Sequence, residues 1–144
     1  MPNTAVELIR INGKAKSRDE AINEAAEMLI QADAVTNEYR DSMFARESSV
    51  STFMGNFLAI PHGTLEGADF VKHSALAIIR YENAIDWDGN EVKFVVGIAG
   101  RDGTHMESLA MLAEIFSDLA TVERLLGAKT EEEFTAIFSE QRTA

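Results

Sequence analysis

Apolar residues recur along this chain with two different spacings, one typical of helices and the other typical of strands. Ile22, Ala25, Ala26 and Leu29 fall at i, i+3, i+4 and i+7, which predicts an amphipathic helix over Arg18–Ala32. Apolar spacing and capping residues predict four more helices. These are a helix from about Glu38 to Glu47, one opening at Thr104, a short one that stops at Gly127, and one opening at Thr130.

Five apolar runs outside the helices predict strands. They are Ala5–Ile11, Thr52–Met54, Phe57–Ile60, His73–Tyr81 and Val92–Ala99. The last two are continuously apolar, which is typical of strands covered on both faces. Asp88-Gly89-Asn90 is typical of a turn between them. Strands interleaved with helices predict an α/β layer architecture.

The length and charge of the chain limit the number of domains and the kinds of partner. At 144 residues the chain has the size of one domain, and we assign residues 1–144 to a single domain. Its 13 Lys plus Arg are outnumbered by 24 Asp plus Glu, which gives a net charge of −11. This charge disfavours nucleic acid and anionic lipid as partners, because both bind through Lys and Arg. It favours docking to proteins with basic patches.

Two absences bear on chemistry and compartment. The sequence has no cysteine, which excludes thiolate catalysis and Cys-ligated metal in this chain. Residues 1–4 show no basic segment followed by an apolar core, and no apolar run approaches the roughly 20 residues of a membrane helix. We therefore expect a cytoplasmic protein that does not insert into a membrane.

The segment Ile60-Pro61-His62-Gly63-Thr64 carries the first candidate for chemistry. Pro61 restricts the backbone, and Gly63 removes a side chain that would crowd whatever docks against the imidazole of His62. Imidazole is largely neutral, and therefore nucleophilic, near pH 7. His62 is thus a candidate nucleophile that takes and passes on a group. The alternative is a solvated turn histidine.

His105 lies in the first turn of the helix that opens at Thr104. A helix start favours anions and lowers the pKa of a nearby histidine, so a neutral His105 could donate a hydrogen bond to an oxyanion. The strand Val92–Ala99 would deliver this turn to a strand end, where α/β sheets usually bind ligands. The alternative is a half-buried histidine that satisfies local carbonyl groups.

Arg46 is the third candidate, near the end of the second predicted helix. Its guanidinium group could return over the Gly55–His62 segment and bind phosphate oxygens in a bidentate way. The alternative is an exposed arginine that complements the helix dipole.

Metal and nucleotide sites have little support in the sequence. His62, His105 and Asp102 suggest a metal only weakly, because there is no His-Glu-x-x-His or His-x-His motif. A metal-dependent hydrolase remains an alternative function. There is also no Walker-type loop, so a phosphoryl group would have to arrive on another protein. We expect no metal and no cofactor, and we interpret His73 as structural.

Together these residues resemble the enzyme IIA component of the mannitol/fructose class of the bacterial phosphoenolpyruvate-dependent sugar phosphotransferase system. The match runs in order through the helix after Ser17, Arg46-Glu47, the Gly55–Thr64 segment, the strand with Gly97-Ile98-Ala99, His105 before a Leu-rich helix, and Val122-Glu123-Arg124-Leu125-Leu126. A Pro-His-Gly tripeptide alone is weak support. A second histidine just past an apolar, Gly-containing strand makes the resemblance strong.

The resemblance implies a fold and a set of roles. The fold would be a mixed, mostly parallel five-stranded sheet with helices on both faces. His62 would accept a phosphoryl group from the histidine-containing phosphocarrier protein and pass it to a cysteine of a IIB component on a separate chain. His105 would be the second active-site histidine, and Arg46 would help to neutralise the phosphoryl group.

The resemblance also bears on the sugar. Pro-His-Gly-Thr is similar to the mannitol branch, which implies uptake and phosphorylation of mannitol. The alternatives are a fructose-specific IIA and a regulatory, nitrogen-type IIA module that is controlled by its phosphorylation state.

Overall fold

The computed structural model of the protein describes residues 5–101 and 104–142. The strands are β1 (Val6–Arg10), β2 (Phe53–Gly55), β3 (Leu58–Ala59), β4 (Ala75–Trp87) and β5 (Asn90–Ala99). The helices are α1 (Arg18–Gln31), α2 (Glu38–Ser49), α3 (Thr104–Phe116), α4 (Leu119–Gly127) and α5 (Glu131–Arg142), with a 3₁₀-helix at Glu66–Phe70. No helix in this part of the chain combines the length and the apolar character that crossing a bilayer requires.

Local capping and turn chemistry account for where several elements begin and end. The Ser17 side chain accepts a hydrogen bond from the Glu20 N–H and starts α1, as the capping box predicts. The turn between β4 and β5 has positive φ at Asp88 (54°) and Gly89 (92°), which suits a tight hairpin. The predicted strand His73–Tyr81 is longer in the structure and reaches Trp87, because the hairpin pairs its polar second half with β5. The 3₁₀-helix was not predicted, since five residues carry no periodic pattern.

The five strands form one mixed sheet in the order β1-β4-β5-β3-β2. This confirms the predicted fold class, except that the pairings are evenly divided rather than mostly parallel. β1 pairs with β4 and β3 pairs with β5 in parallel, whereas β4–β5 and β2–β3 are antiparallel. The reason is that short turns join the members of both antiparallel pairs, and such turns can only connect antiparallel neighbours.

Helices cover both faces of the sheet, as predicted. On one face Ala75, Ala77 and Ile79 of β4 pack with α1 and α2 in a buried cluster. On the other face Leu76 and Ile78 pack with α3, α4 and α5. Alternate residues of one strand therefore belong to two separate cores, which explains why β4 begins as a continuous apolar run.

The parallel pairing of β3 with β5 places the candidate residues at one edge of the sheet. Leu58 pairs with Phe94 and Ala59 with Val95, so the two strands end side by side. The segment that leaves β3 contains His62, and the segment that leaves β5 leads to His105 at the start of α3.

Candidate active site

The backbone after β3 holds His62 in a fixed orientation. His62 pairs with Ile98 in an isolated parallel bridge, and the Ile98 N–H donates to the Pro61 carbonyl at 2.9 Å. His62 as a whole residue is only 8% exposed, and its Nδ1 lies 2.7 Å from the Ile60 carbonyl oxygen. Because a carbonyl oxygen only accepts, Nδ1 carries the proton and Nε2 keeps the free lone pair. His62 is therefore not a solvated turn histidine.

The structure brings His105 against His62. The ring centroids are 4.9 Å apart and the planes are tilted by 59°. His105 is half-buried in the first turn of α3. Gly100 makes this approach possible, since a Cβ at that position would lie 2.7 Å from the His105 Cα. The two histidines that the sequence singled out thus form one pair.

Arg46 lines the same cleft as the two histidines, in the last turn of α2. Its Nη1 donates to the Val50 carbonyl at 2.6 Å, so the side chain also satisfies the carbonyl that follows its own helix. Both sequence interpretations of Arg46 therefore describe part of its environment: it faces the His62 segment and it complements a helix end.

The cleft around these three residues has a volume of about 360 Å³. Leu65 and Met106 stand at its margin and are 92% and 67% exposed. Tyr39 and Val71 are buried and contribute to its lining. The site is therefore a polar centre bordered by exposed apolar side chains.

Sequence reasoning missed two residues of α2 that hold the His62 segment. The Tyr39 hydroxyl accepts from the Gly63 N–H at 2.9 Å, and the Ser42 hydroxyl accepts from the Thr64 N–H at 2.9 Å. With Arg46 they lie at i, i+3 and i+7, on one face of the helix. This spacing is a usable signal that the sequence carries.

Glu47 was also missed as a structural carboxylate. It is 4% exposed and accepts three hydrogen bonds, from the Thr52 N–H (2.9 Å), the Thr52 hydroxyl (2.6 Å) and Trp87 Nε1 (3.0 Å). A buried carboxylate is tolerated when its oxygens are satisfied in this way. It ties the end of α2, and hence Arg46, to the start of β2 and to β4.

The comparisons with known proteins bear directly on this site. The chain matches the family model described as phosphoenolpyruvate-dependent sugar phosphotransferase system, EIIA 2, over residues 3–141. The protein belongs to this family.

Individual relatives agree with the family match. The mannitol-specific phosphotransferase enzyme IIA component of Staphylococcus aureus (strain MRSA252) is 46% identical over 132 residues, 92% of each chain. The protein of the same description from Geobacillus stearothermophilus is 42% identical over 141 residues, 97% of each chain. A solved complex of enzyme IIAMTL and phosphorylated enzyme IIBMTL from Escherichia coli matches with a TM-score of 0.86 and 27% identity, covering 92% of this chain and 94% of that one. As a family member the protein is an enzyme IIA component, a phosphotransferase of the sugar phosphotransferase system.

The electrostatics of the pair favour neutral imidazoles. Burial lowers the pKa of His62, the hydrogen bond to the Ile60 carbonyl opposes this, and the neighbouring His105 and Arg46 lower it further. Burial and then Arg46 also lower the pKa of His105. A lowered pKa keeps the lone pair of His62 available at neutral pH, which suits a nucleophile.

The weak metal hypothesis rested partly on Asp102, which lies outside the described residues. Within the ranges 5–101 and 104–142, no group of three or more His, Asp or Glu side chains is arranged to hold a metal ion.

We predict that His62 and His105 titrate below the pKa of about 6.5 of a free imidazole, because burial disfavours their charged forms. The measurement is the pH dependence of the ring Cε1–H shifts by NMR, with the urea-unfolded chain as the reference.

The direction of these two pKa shifts also predicts how the stability of the protein depends on pH. As the pH falls through about 6.5 the unfolded chain binds protons first, so the free energy of unfolding decreases until the folded rings are protonated too. Midpoints at or above the unfolded reference would contradict the burial argument.

Proposed function

We propose that this chain is the phosphoryl carrier of a mannitol phosphotransferase system, acting in the cytoplasm as a single unit over residues 1–144. His62 accepts the phosphoryl group from the histidine-containing phosphocarrier protein and passes it to a cysteine of a IIB component. The observation that carries the proposal is the paired imidazoles, 4.9 Å apart, with Nδ1 of His62 committed to a carbonyl. This arrangement leaves Nε2 as the nucleophilic nitrogen.

In the first step the Nε2 lone pair attacks the phosphorus of the phosphohistidine on the donor. A new N–P bond forms as the donor's N–P bond breaks, and the donor imidazole leaves with that electron pair. The His62 ring then carries the phosphoryl group on Nε2 and a proton on Nδ1. Its formal positive charge faces the Ile60 carbonyl oxygen, which is 2.7 Å from Nδ1.

His105 and Arg46 stabilise the charge on the transferred group. The guanidinium group of Arg46 lines the cleft and has further N–H donors for phosphoryl oxygens besides the one bound to Val50. His105 sits in the first turn of α3, where backbone N–H groups and the helix dipole also favour an anion. Such preorganised donors supply most of the catalysis in a reaction that needs positioning and charge stabilisation.

In the second step a thiolate of the IIB component attacks phosphorus, the N–P bond breaks and its electrons return to Nε2 of His62. The acceptor thiolate lies outside residues 1–144, because this sequence has no cysteine. The structural likeness to an Escherichia coli enzyme IIA bound to phosphorylated enzyme IIB supports a IIB partner. Exposed Leu65 and Met106 give the cleft an apolar margin for brief protein contact.

Mannitol is favoured over other sugars by the relatives named above, which are mannitol-specific and match nearly the whole chain. A fructose-specific IIA and a nitrogen-type regulatory module are the alternatives, since the same His62 chemistry would serve them.

We predict that His62→Ala abolishes labelling by phosphorylated carrier protein, since it removes the only nitrogen nucleophile that we place in the transfer step. The measurement is the incorporation of labelled phosphate, supplied from phosphoenolpyruvate through purified proteins of the phosphotransferase system that phosphorylate the carrier protein. His73→Ala is the matched control, because His73 is exposed and outside the cleft. Labelling of the His62 variant at full stoichiometry would remove His62 from this role.

His105→Ala is predicted to fold and to be phosphorylated, but with transfer slowed by about 10²–10³-fold, the usual scale for losing one oxyanion partner. Rapid-quench measurement of both steps, donor to His62 and His62 to the IIB protein, checks this. Wild-type rates in both directions would make His105 merely structural.

The sugar assignment is tested by a relay with separate IIB proteins. We predict that the phosphorylated protein transfers to a mannitol IIB protein at least about tenfold faster than to a fructose IIB protein. Faster transfer to the fructose protein would reassign the sugar. Transfer to neither protein would favour the regulatory module.

A further inference from the structure

The hydroxyl group of Tyr39 lies between the two chain segments that carry the active-site histidines. It accepts from the Gly63 N–H at 2.9 Å and donates to the Ile98 carbonyl at 2.7 Å. Gly63 directly follows His62. Ile98 lies two residues before Gly100, which packs against the backbone of His105. One side-chain oxygen thus links both sides of the site.

The Tyr39 hydroxyl lies where the parallel pairing of the two segments calls for a backbone hydrogen bond. With His62 opposite Ile98, the ladder uses two bonds, from the Ile98 N–H to the Pro61 carbonyl and from the Gly63 N–H to the Ile98 carbonyl. The first is present at 2.9 Å. At the second, the Tyr39 hydroxyl bonds to both the donor and the acceptor. The hydroxyl thus takes part in the pairing of the two segments at this position.

The ring of Tyr39 limits the approach from the other side. A Cβ at Gly63 would lie 2.5 Å from Tyr39 Cε1, so the loop already contacts the ring as closely as glycine allows. Tyr39 is 3% exposed, and burial raises its pKa to about 12. The hydroxyl therefore keeps its proton, and both of its hydrogen bonds, throughout the neutral range.

We propose that Tyr39 is a positioning residue for phosphoryl transfer, whose hydroxyl sets the spacing between the His62 segment and the end of β5 and thereby the separation of the two imidazoles. The proposal rests on the proposed function of His62 and deepens it. Phosphoryl transfer depends on in-line placement, and a misplacement of about 1 Å can slow a reaction by about 10²-fold. Tyr39 acts through His62 and His105 and takes no part in bond making.

The test is Tyr39→Phe, with Tyr81→Phe as the matched control. The Tyr81 hydroxyl is also held by a hydrogen bond, to Glu24 at 2.8 Å, and its side chain is 2% exposed, but it does not line the cleft. We expect Tyr39→Phe to slow phosphorylation of His62 by about 10- to 100-fold, whereas Tyr81→Phe changes it by less than about twofold. Rates are measured with phosphorylated carrier protein and with phosphoramidate, a small donor that makes no protein contacts.

A second readout needs no donor. If the spacing changes, the burial of His62 and its interaction with His105 change with it, so the midpoint of the His62 titration measured by NMR should shift by about 0.5 pH unit or more in Tyr39→Phe only. If Tyr39 has only a structural role, both variants should be less stable, and their phosphorylation rates and His62 titrations should be the same. Equal behaviour of the two variants in both readouts overturns the proposal.

Two further outcomes keep this inference separate from the proposed function. A wild-type protein that accepts phosphate from phosphoramidate but not from the carrier protein contradicts the proposed donor and leaves the Tyr39 comparison valid. If Tyr39→Phe does not fold, Gly63→Ala tests the same contact from the loop, since its Cβ would push the loop off the Tyr39 ring. It should show the same loss of rate, and wild-type rates would overturn the proposal.

Discussion

The parallel pairing of β3 with β5 is the constraint on which the rest of the site depends. Parallel neighbours end at the same edge of a sheet, so the segments that follow them emerge side by side. His62 lies in one of these segments and His105 at the end of the other, 43 positions later by their numbers. A direct hairpin connection between the two strands would have sent the segments to opposite edges. The parallel pairing of β3 with β5 therefore brings the two histidines together.

Burial favours the neutral forms of the two imidazole rings. Desolvation opposes protonation of both rings, and Arg46 adds a positive charge that opposes it further. The Ile60 carbonyl then distinguishes the two nitrogens of His62, because it holds the proton on Nδ1. Of these features only the positive charge of Arg46 also favours an anion, since burial disfavours any charge. In the proposed transfer, the phosphoryl group therefore depends on Arg46 and on the hydrogen-bond donors of the cleft.

Helix α2 supports the candidate site without contributing either histidine. Its Tyr39 and Ser42 hold the backbone N–H groups of Gly63 and Thr64, and Arg46 extends from the next turn into the cleft. Glu47 anchors the end of the helix through Thr52 and Trp87. A helix is stiff over two turns, so these contacts position the loop and the guanidinium group together. The loop that carries His62 is therefore held by an element that is not its sequence neighbour.

The sequence by itself determined the five α-helices, the approximate strands and the α/β layer class, because periodicity, capping and turn chemistry act over a few neighbouring positions. The capping box at Ser17 and the turn at Asp88-Gly89 are examples. The three candidate residues and the five-stranded mixed sheet were expected from short motifs and from the family resemblance. Only the tertiary structure decided how the pairings divide between parallel and antiparallel, which nitrogen of His62 is free, and what Tyr39 and Glu47 bind. The strand pairings and the bonds of Tyr39 and of Glu47 with Trp87 join residues far apart in the chain, and no local pattern encodes such contacts. The proton on Nδ1 of His62 depends on a close neighbour, the Ile60 carbonyl, but only the folded backbone turns that carbonyl toward the ring.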